Sequence, residues 1–238
     1  MSMELNSFRF KQFSVLHDRC AHKVGTDAVL LGAWTTTANA RTILDIGTGS
    51  GVIALMLAQR TTSDVSIDAV ELNGSDFLQA TENILNSSWS ERIKVHHASV
   101  QEFVSNRKYD LIASNPPFFV NDLLPPSDAR KQSRHTISLS YADLLVAVKR
   151  LISPIGKFSI ILPSVEGLQF QSLASEFGLF CSRELAFFSR KEKSQERWLM
   201  EFDQKPGVKI SETLVLYAQG DNWSEEYKKL THDFYLRL

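Results

Sequence analysis

Five short apolar runs, at residues 42–46, 66–71, 93–96, 110–114 and 157–162, are rich in Ile and Val and too short for stable helices, so they predict strands. Between them the apolar positions recur with the helical period at 52–59, 75–86, 100–106 and 141–151. Strand and helix in alternation predict an α/β fold, Rossmann-like, because parallel neighbours need a crossover and the crossover helix covers a sheet face. After residue 162 the pattern changes. A helix at 165–177 leads to two longer β-rich runs, 179–188 and 196–202, joined by the polar stretch 189–195, which suits a hairpin and gives the mostly parallel sheet an antiparallel edge. The first forty residues do not fit the alternation: 8–13 alternates like a strand and 27–34 reads as a helix, together a lid or platform beside the first turn. Residues 225–235 read as a closing amphipathic helix.

With 238 residues and 43% hydrophobic content, the chain suffices for one large domain spanning 1–238. No apolar segment has membrane length, and the first residues lack the basic start and apolar core of a secretory signal, so a cytoplasmic protein without a membrane partner is expected. Cys20 and Cys181 lie far apart and outside any CxxC spacing, which predicts reduced thiols. His17, Cys20 and His22 lack a fourth ligand at a useful spacing, and His135 near Ser133 lacks a glycine-flanked nucleophile, so neither a metal site nor a hydrolase is expected. A formal net charge of −1 argues against a wholesale polyanion binder but leaves room for local basic patches. Two stand out: Arg130, Lys131 and Arg134, and, later, Arg183, Arg190, Lys191, Lys193 and Arg197.

The chemistry concentrates at two strand exits. Asn115-Pro116-Pro117-Phe118 directly follows the fourth run. Two prolines fix the backbone behind the Asn115 amide. A planar nitrogen substrate could then give its amine hydrogens to the Asn115 side-chain oxygen and the Pro116 carbonyl while Phe118 stacks on its face. Taken alone, the tetrapeptide serves equally as a proline-rich strand exit. The second exit is Asp45-Ile46-Gly47-Thr48-Gly49-Ser50-Gly51, a glycine turn between strand and helix, with Glu71 at the tip of the second strand placed to take two ribose hydroxyls. The turn reads G-x-G-x-G. Val52 stands where a dinucleotide fingerprint needs its last glycine, so a nicotinamide dehydrogenase is the weaker reading.

In order and spacing, Asp45 to Gly51, Glu71 and Asn115 to Phe118 resemble the class I S-adenosylmethionine-dependent methyltransferases, and the Asn-Pro-Pro-aromatic element resembles the subset that modifies planar amines or amides. More narrowly, Lys23-Val24-Gly25-Thr26-Asp27-Ala28-Val29-Leu30-Leu31-Gly32-Ala33-Trp34 and the tail from Ser224 to Leu236 resemble bacterial enzymes that methylate the adenosine exocyclic amine in valine tRNA. The resemblance implies S-adenosyl-L-methionine as cofactor, held by Thr26, Asp45, Gly47, Gly49, Gly51, Glu71, Ser99 and Asn115. It implies Asn115, Pro116 and Phe118 as the catalytic set. For the partner it implies tRNA at its anticodon stem-loop, with Pro117 and Phe118 at the base; Arg130, Lys131 and Arg134 are expected to meet the RNA because they flank the reactive centre. Relatives often carry Asp where this chain has Ser99, and Tyr where it has Phe118; a hydroxyl still accepts a bond from the adenine amine, and Phe keeps the stacking face. A glutamine amide of a release factor would present the same N–H geometry, and a non-catalytic RNA-binding relative is the alternative from another class.

Overall fold

The computed structural model describes residues 7–20, 23–117 and 139–237, so Phe118, Arg130, Lys131 and Arg134 lie outside the described residues. The chain opens with a small hairpin, β1 (Ser7–Arg9) and β2 (Ser14–Leu16), followed by helix α1 (Thr26–Trp34). The alternating part is β3 (Thr42–Ile46), α2 (Val52–Gln59), β4 (Ser66–Glu71), α3 (Gly74–Leu85), β5 (Ile93–His97), β6 (Tyr109–Ser114), α4 (Tyr141–Leu151) and β7 (Ile152–Pro163). Then come α5 (Ser164–Glu176), β8 (Phe180–Arg190), β9 (Arg197–Asp203), β10 (Ile210–Gln219), β11 (Asn222–Trp223) and α6 (Glu225–Thr231). One sheet collects nine of these strands in the order β11-β10-β8-β9-β7-β6-β3-β4-β5.

The five alternating strands pair in parallel, as the buried apolar runs predict, and the β8–β9 hairpin is antiparallel. Two features were not legible beforehand: β9 inserts between β7 and β8, and β10 then adds in parallel to β8. Beyond them β11 closes the edge antiparallel to β10. Two apolar layers sandwich the sheet. One joins α1, α2 and the β1–β2 hairpin through residues such as Leu30, Leu55 and Val15, and the other joins α4 and α5 through Leu144, Val148 and Phe170.

Three expected elements take another form, the first through a tight local turn and the other two because tertiary bonds outbid local preference. The strand expected at 8–13 is a hairpin bent between β1 and β2, closed by the Phe10 amide on the Phe13 carbonyl at 2.8 Å, with the two rings stacked 4.5 Å apart. The helix expected at 100–106 is only a turn. Its carbonyls at Phe103, Val100 and Gln101 are taken by the Arg150 guanidinium at 2.6, 2.7 and 3.3 Å rather than by amides one helical turn on. The closing helix stops at Thr231 instead of running to 235, because Tyr235 bridges Phe10 and the Phe234 carbonyl accepts from the Lys11 amide at 2.8 Å. Amino-terminal platform and carboxyl-terminal tail are thereby one aromatic unit.

Asp68 in the middle of β4 ties the strands beneath the site. It accepts from Arg107 Nε at 3.1 Å, the buried Tyr109 hydroxyl at 2.8 Å, and contacts His96 Nε2 at 2.7 Å. Burial pushes its pKa up, but Arg107, His96 and Tyr109 together outweigh burial and hold it below the ordinary carboxylate value. A depressed folded-state pKa means stabilisation that is complete above the unfolded value of about 3.9 and is lost as pH falls through the folded one. Asp68→Asn should therefore lose about 1–3 kcal/mol at pH 7 in urea unfolding, and the deficit should shrink below pH 4; a deficit that stayed constant into acid would refute the electrostatic account.

Candidate active site

In an open α/β sheet a ligand crevice forms where strand order reverses, outside the carboxyl ends of the strands. Here β4 lies on one side of β3 and β6 on the other, so the reversal falls at the β3–β6 seam. Ile46 is level with Ser114 across that seam, and the buried Ser114 hydroxyl donates to the Ile46 carbonyl at 3.0 Å. The glycine turn and Asn115-Pro116-Pro117 therefore leave the sheet side by side, one strand spacing apart, about 4.8 Å.

The turn has its shape because Gly47, Gly49 and Gly51 all take positive φ, at 69°, 55° and 84°. L side chains rarely adopt such values. A Cβ built on Gly47 or Gly49 would meet nothing within 4 Å, so the backbone there faces open space, whereas one on Gly51 would lie in ordinary van der Waals contact with Ala80 and Ile84 of α3, 3.5 Å away. The first two glycines thus leave room for a ligand, and the third is called for by its positive φ rather than by lack of space. Glu71, buried at the tip of β4, reaches across to accept from the Gly49 amide and the Asn73 amide, both at 2.8 Å.

Asp45 is wholly buried beneath the turn and accepts from the Thr48 hydroxyl at 2.6 Å. Its other oxygen, Oδ1, has no hydrogen-bond partner among the described residues. Burial raises its pKa to about 7; the Thr48 hydroxyl and the Ala54 amide, the latter short of hydrogen-bond geometry, pull it back down, and the Glu71 charge pushes it up. The carboxyl beneath the turn and the open glycines above fit a polar, adenosine-bearing cofactor. Asp45 and Glu71 would hold it with the glycine backbone.

Asn115 is half-buried, Pro116 buried and Pro117 exposed. Thr26 is exposed at the start of α1 and is brought to the same edge by Asp27, whose carboxylate pairs with Arg197 Nε at 2.9 Å; Arg197 in turn lies level with Pro163 at the end of β7. Ser99 sits just past β5, and its hydroxyl is engaged in a local turn with Glu102, donating to the carboxylate and accepting from the amide, both at a long 3.3 Å. Such weak bonds leave the oxygen able to accept from a ligand amine. Among the described residues no group of three His, Cys, Asp or Glu could hold a metal ion, and no helix is long and apolar enough to cross a membrane. Cys20 packs beside Asp76 and Glu71, and burial with those carboxylates pushes its thiol up to about 12, which leaves it unreactive.

Asn83 escaped the reading of the sequence. It is buried in α3, its amide donates at 2.8 Å both to the Leu16 carbonyl in β2 and to the Ser50 carbonyl in the glycine turn, and its oxygen accepts from the Leu16 amide at 2.8 Å. One side chain thus fastens the amino-terminal platform to the turn. The available signal was an Asn on the helix face that otherwise carries Ala80 and Ile84 inward. The later basic cluster divides: Arg183 stacks on Trp34 at 4.3 Å and pairs with Glu212 at 2.8 Å, at the opposite end of β8 from Arg190.

The family model "Methyltransferase small domain" matches residues 20–127. A tRNA1(Val) (adenine(37)-N6)-methyltransferase of Trichodesmium erythraeum is 46% identical over 235 residues, covering 98% of each chain, and one of Escherichia coli O157:H7 is 43% identical, covering 97% of this chain and 95% of its own. Among solved structures, a "predicted O-methyltransferase" of Agrobacterium tumefaciens superposes with a TM-score of 0.69 at 15% identity over 87% of this chain and 96% of its own. The glycopeptide N-methyltransferase MtfA, complexed with S-adenosylmethionine, gives 0.54 at 13% identity over 78% and 90%. At such identities the two structures speak to the fold alone.

Because the folded-state pKa of Asp45 lies above its ordinary value, the free protein should lose stability as pH rises towards about 7, where the buried carboxyl ionises. Asp45→Asn should melt several degrees higher than the wild type at pH 8, with the gap narrowing as pH falls to 5. Thermal melts across that range check it, and a wild type more stable than the variant at pH 8 would contradict the burial argument.

Proposed function

The chain belongs to the tRNA1(Val) (adenine(37)-N6)-methyltransferase family, and from that membership we propose that it methylates the exocyclic N6 amine of an adenosine beside the anticodon of valine tRNA, using S-adenosyl-L-methionine. The observation that carries this reading is the β3–β6 seam, which sets an open glycine turn next to Asn115-Pro116-Pro117. In the proposed arrangement the partner is the anticodon stem-loop, the chain acts as one catalytic domain over 1–238 with the first forty residues as its platform, and a tRNA substrate implies work in the cytoplasm.

S-adenosylmethionine, when bound, supplies a methyl carbon already activated by its positive sulfur. The protein's work is to orient and to stabilise charge. Glu71 lies where it can exchange the Gly49 amide for ribose hydroxyls, and the unpaired Asp45 Oδ1 is a ready acceptor below the turn. Ser99, with Thr26 at the opposite lip, completes the proposed cofactor set.

An adenine amine is a poor nucleophile because its lone pair is shared with the ring. When the Asn115 side-chain oxygen and the Pro116 carbonyl each accept one amine hydrogen, the nitrogen is drawn towards a pyramidal form with its lone pair free. The prolines keep both acceptors fixed, since neither Pro116 nor Pro117 has an N–H to rotate into them. Phe118 would stack on the base, worth about 1–3 kcal/mol, and Pro117 would border it. Arg130, Lys131 and Arg134 would meet backbone phosphates. The product's extra proton is strongly acidic and leaves to water, so no general base is required.

Asn115→Ala should cut methyl incorporation into valine tRNA by at least a hundredfold while S-adenosylhomocysteine binding by calorimetry stays within about twofold. Near-normal turnover would defeat the assignment. Glu71→Ala should instead weaken S-adenosylhomocysteine at least tenfold, and unaltered affinity would move the cofactor elsewhere. Nucleoside mass spectrometry of tRNA from cells with and without the gene, beside labelled assays on release factors, decides the substrate: loss of N6-methyladenosine from valine tRNA is expected, and labelling of a release factor alone would overturn it.

A further inference from the structure

Resting on the tRNA reading above, we infer that the tip of the β8–β9 hairpin is a phosphate-docking rim for the RNA, with Lys191 and Lys193 as its contact residues. Strand directions and register give the geometry. β8 runs in the same sense as β7 and β6, because β9 is antiparallel to both β7 and β8. The carboxyl end of β8 therefore rises from the same edge as Asn115 and the glycine turn.

Register then sets the height. Ser114 is level with Ile160, so β7 continues three residues past the floor to Pro163; Pro163 is level with Arg197, and Arg197 with Phe187. Arg190 lies three residues further out. Six residues at about 3.3 Å each place the hairpin tip roughly 20 Å above the floor, and three strand spacings place it about 14 Å to one side. β8 and β9 thus form a wall beside the pocket rather than part of its floor. A nucleotide lowered to Asn115 from a folded RNA carries its neighbouring phosphates past the top of such a wall.

The top is cationic. Residues 190–197 hold four basic and two acidic side chains. Two of the cations are structural: Arg190 lies 4.9 Å over the Tyr217 ring and pairs with Asp221, and Arg197 pairs with Asp27. They stiffen the tip at both roots. Lys191 and Lys193 are exposed and form none of the ion pairs found among the described residues, which leaves their charge available to a polyanion. Stiff roots under free charges reduce the ordering cost of binding.

The test uses the full-length protein with in vitro transcribed valine tRNA. The K191E/K193E double variant should raise KM for tRNA at least tenfold and reduce the salt dependence of tRNA binding, the slope of log K against log salt, by about 1–2, as two lost phosphate contacts require. Affinity for S-adenosylhomocysteine and the melting temperature should match the wild type, and the K191R/K193R variant should restore KM. Unchanged KM and slope in the double variant, with the wild type methylating the tRNA, would overturn the rim and leave the tRNA reading standing. A wild type that methylates no tRNA would overturn both.

Discussion

Everything at the candidate site follows from one parallel seam, the pairing of β3 with β6. A turn rich in positive-φ glycine and a rigid Asn-Pro-Pro segment are each ordinary in isolation. They become one candidate site because Ile46 and Ser114 run level and the Ser114 hydroxyl closes on the Ile46 carbonyl. A one-residue slip would turn Asp45 and Ser114 to the opposite faces of the sheet. Ile43, Leu111 and Ala113 pack in one apolar layer and Leu44, Ile46 and Ile112 in the other, so a slip would exchange two well-packed faces. Register is thus specified by the core, and the site inherits its precision from packing rather than from the loops that carry its chemistry.

Two carboxylates at this edge solve the same electrostatic problem differently. Glu71 is satisfied by two backbone amides, so its charge is compensated before any ligand arrives. Asp45 has a single hydroxyl for two oxygens, and burial lifts its pKa to about 7. Such a group costs the free fold stability, and a ligand donor that reached Oδ1 would recover part of that cost. The glycine turn is consequently held from two sides, by Glu71 at Gly49 and by Asn83 at Ser50, while the acid beneath it stays unsatisfied.

Much of this is legible in the amino-acid sequence alone. Strands at 42–46 and 66–71 and helices at 52–59 and 141–151 fall where period and turn residues put them, because each sits in a strongly apolar, locally consistent segment. What sequence could not supply is contact at long separation. Arg150 strips carbonyls from the stretch after Ser99, so no helix forms there; Tyr235 crosses to Phe10, so the last helix ends early. Nor does any local signal reveal that β9 lies between β7 and β8, since strand order in a hairpin depends on which neighbour the core rewards. Asn83 was missed for the same reason: its three bonds reach Leu16 and Ser50, far away in sequence.

The departures from plain alternation share a geometric consequence. A sheet of five parallel strands ending level with one another would present a flat floor, open to any small amine. Inserting β9 antiparallel and lengthening β7 and β8 lifts one half of the sheet above the other, and the ion pair of Arg197 with Asp27 draws the start of α1 against that wall. The glycine turn then lies on one side of Asn115 and the wall of β8 and β9 on the other. A floor sunk so far below its rim admits a base extruded from a larger molecule, whose flanking backbone can rest on the rim. Shape therefore favours a polymeric substrate, and it does so through strands that carry none of the chemistry.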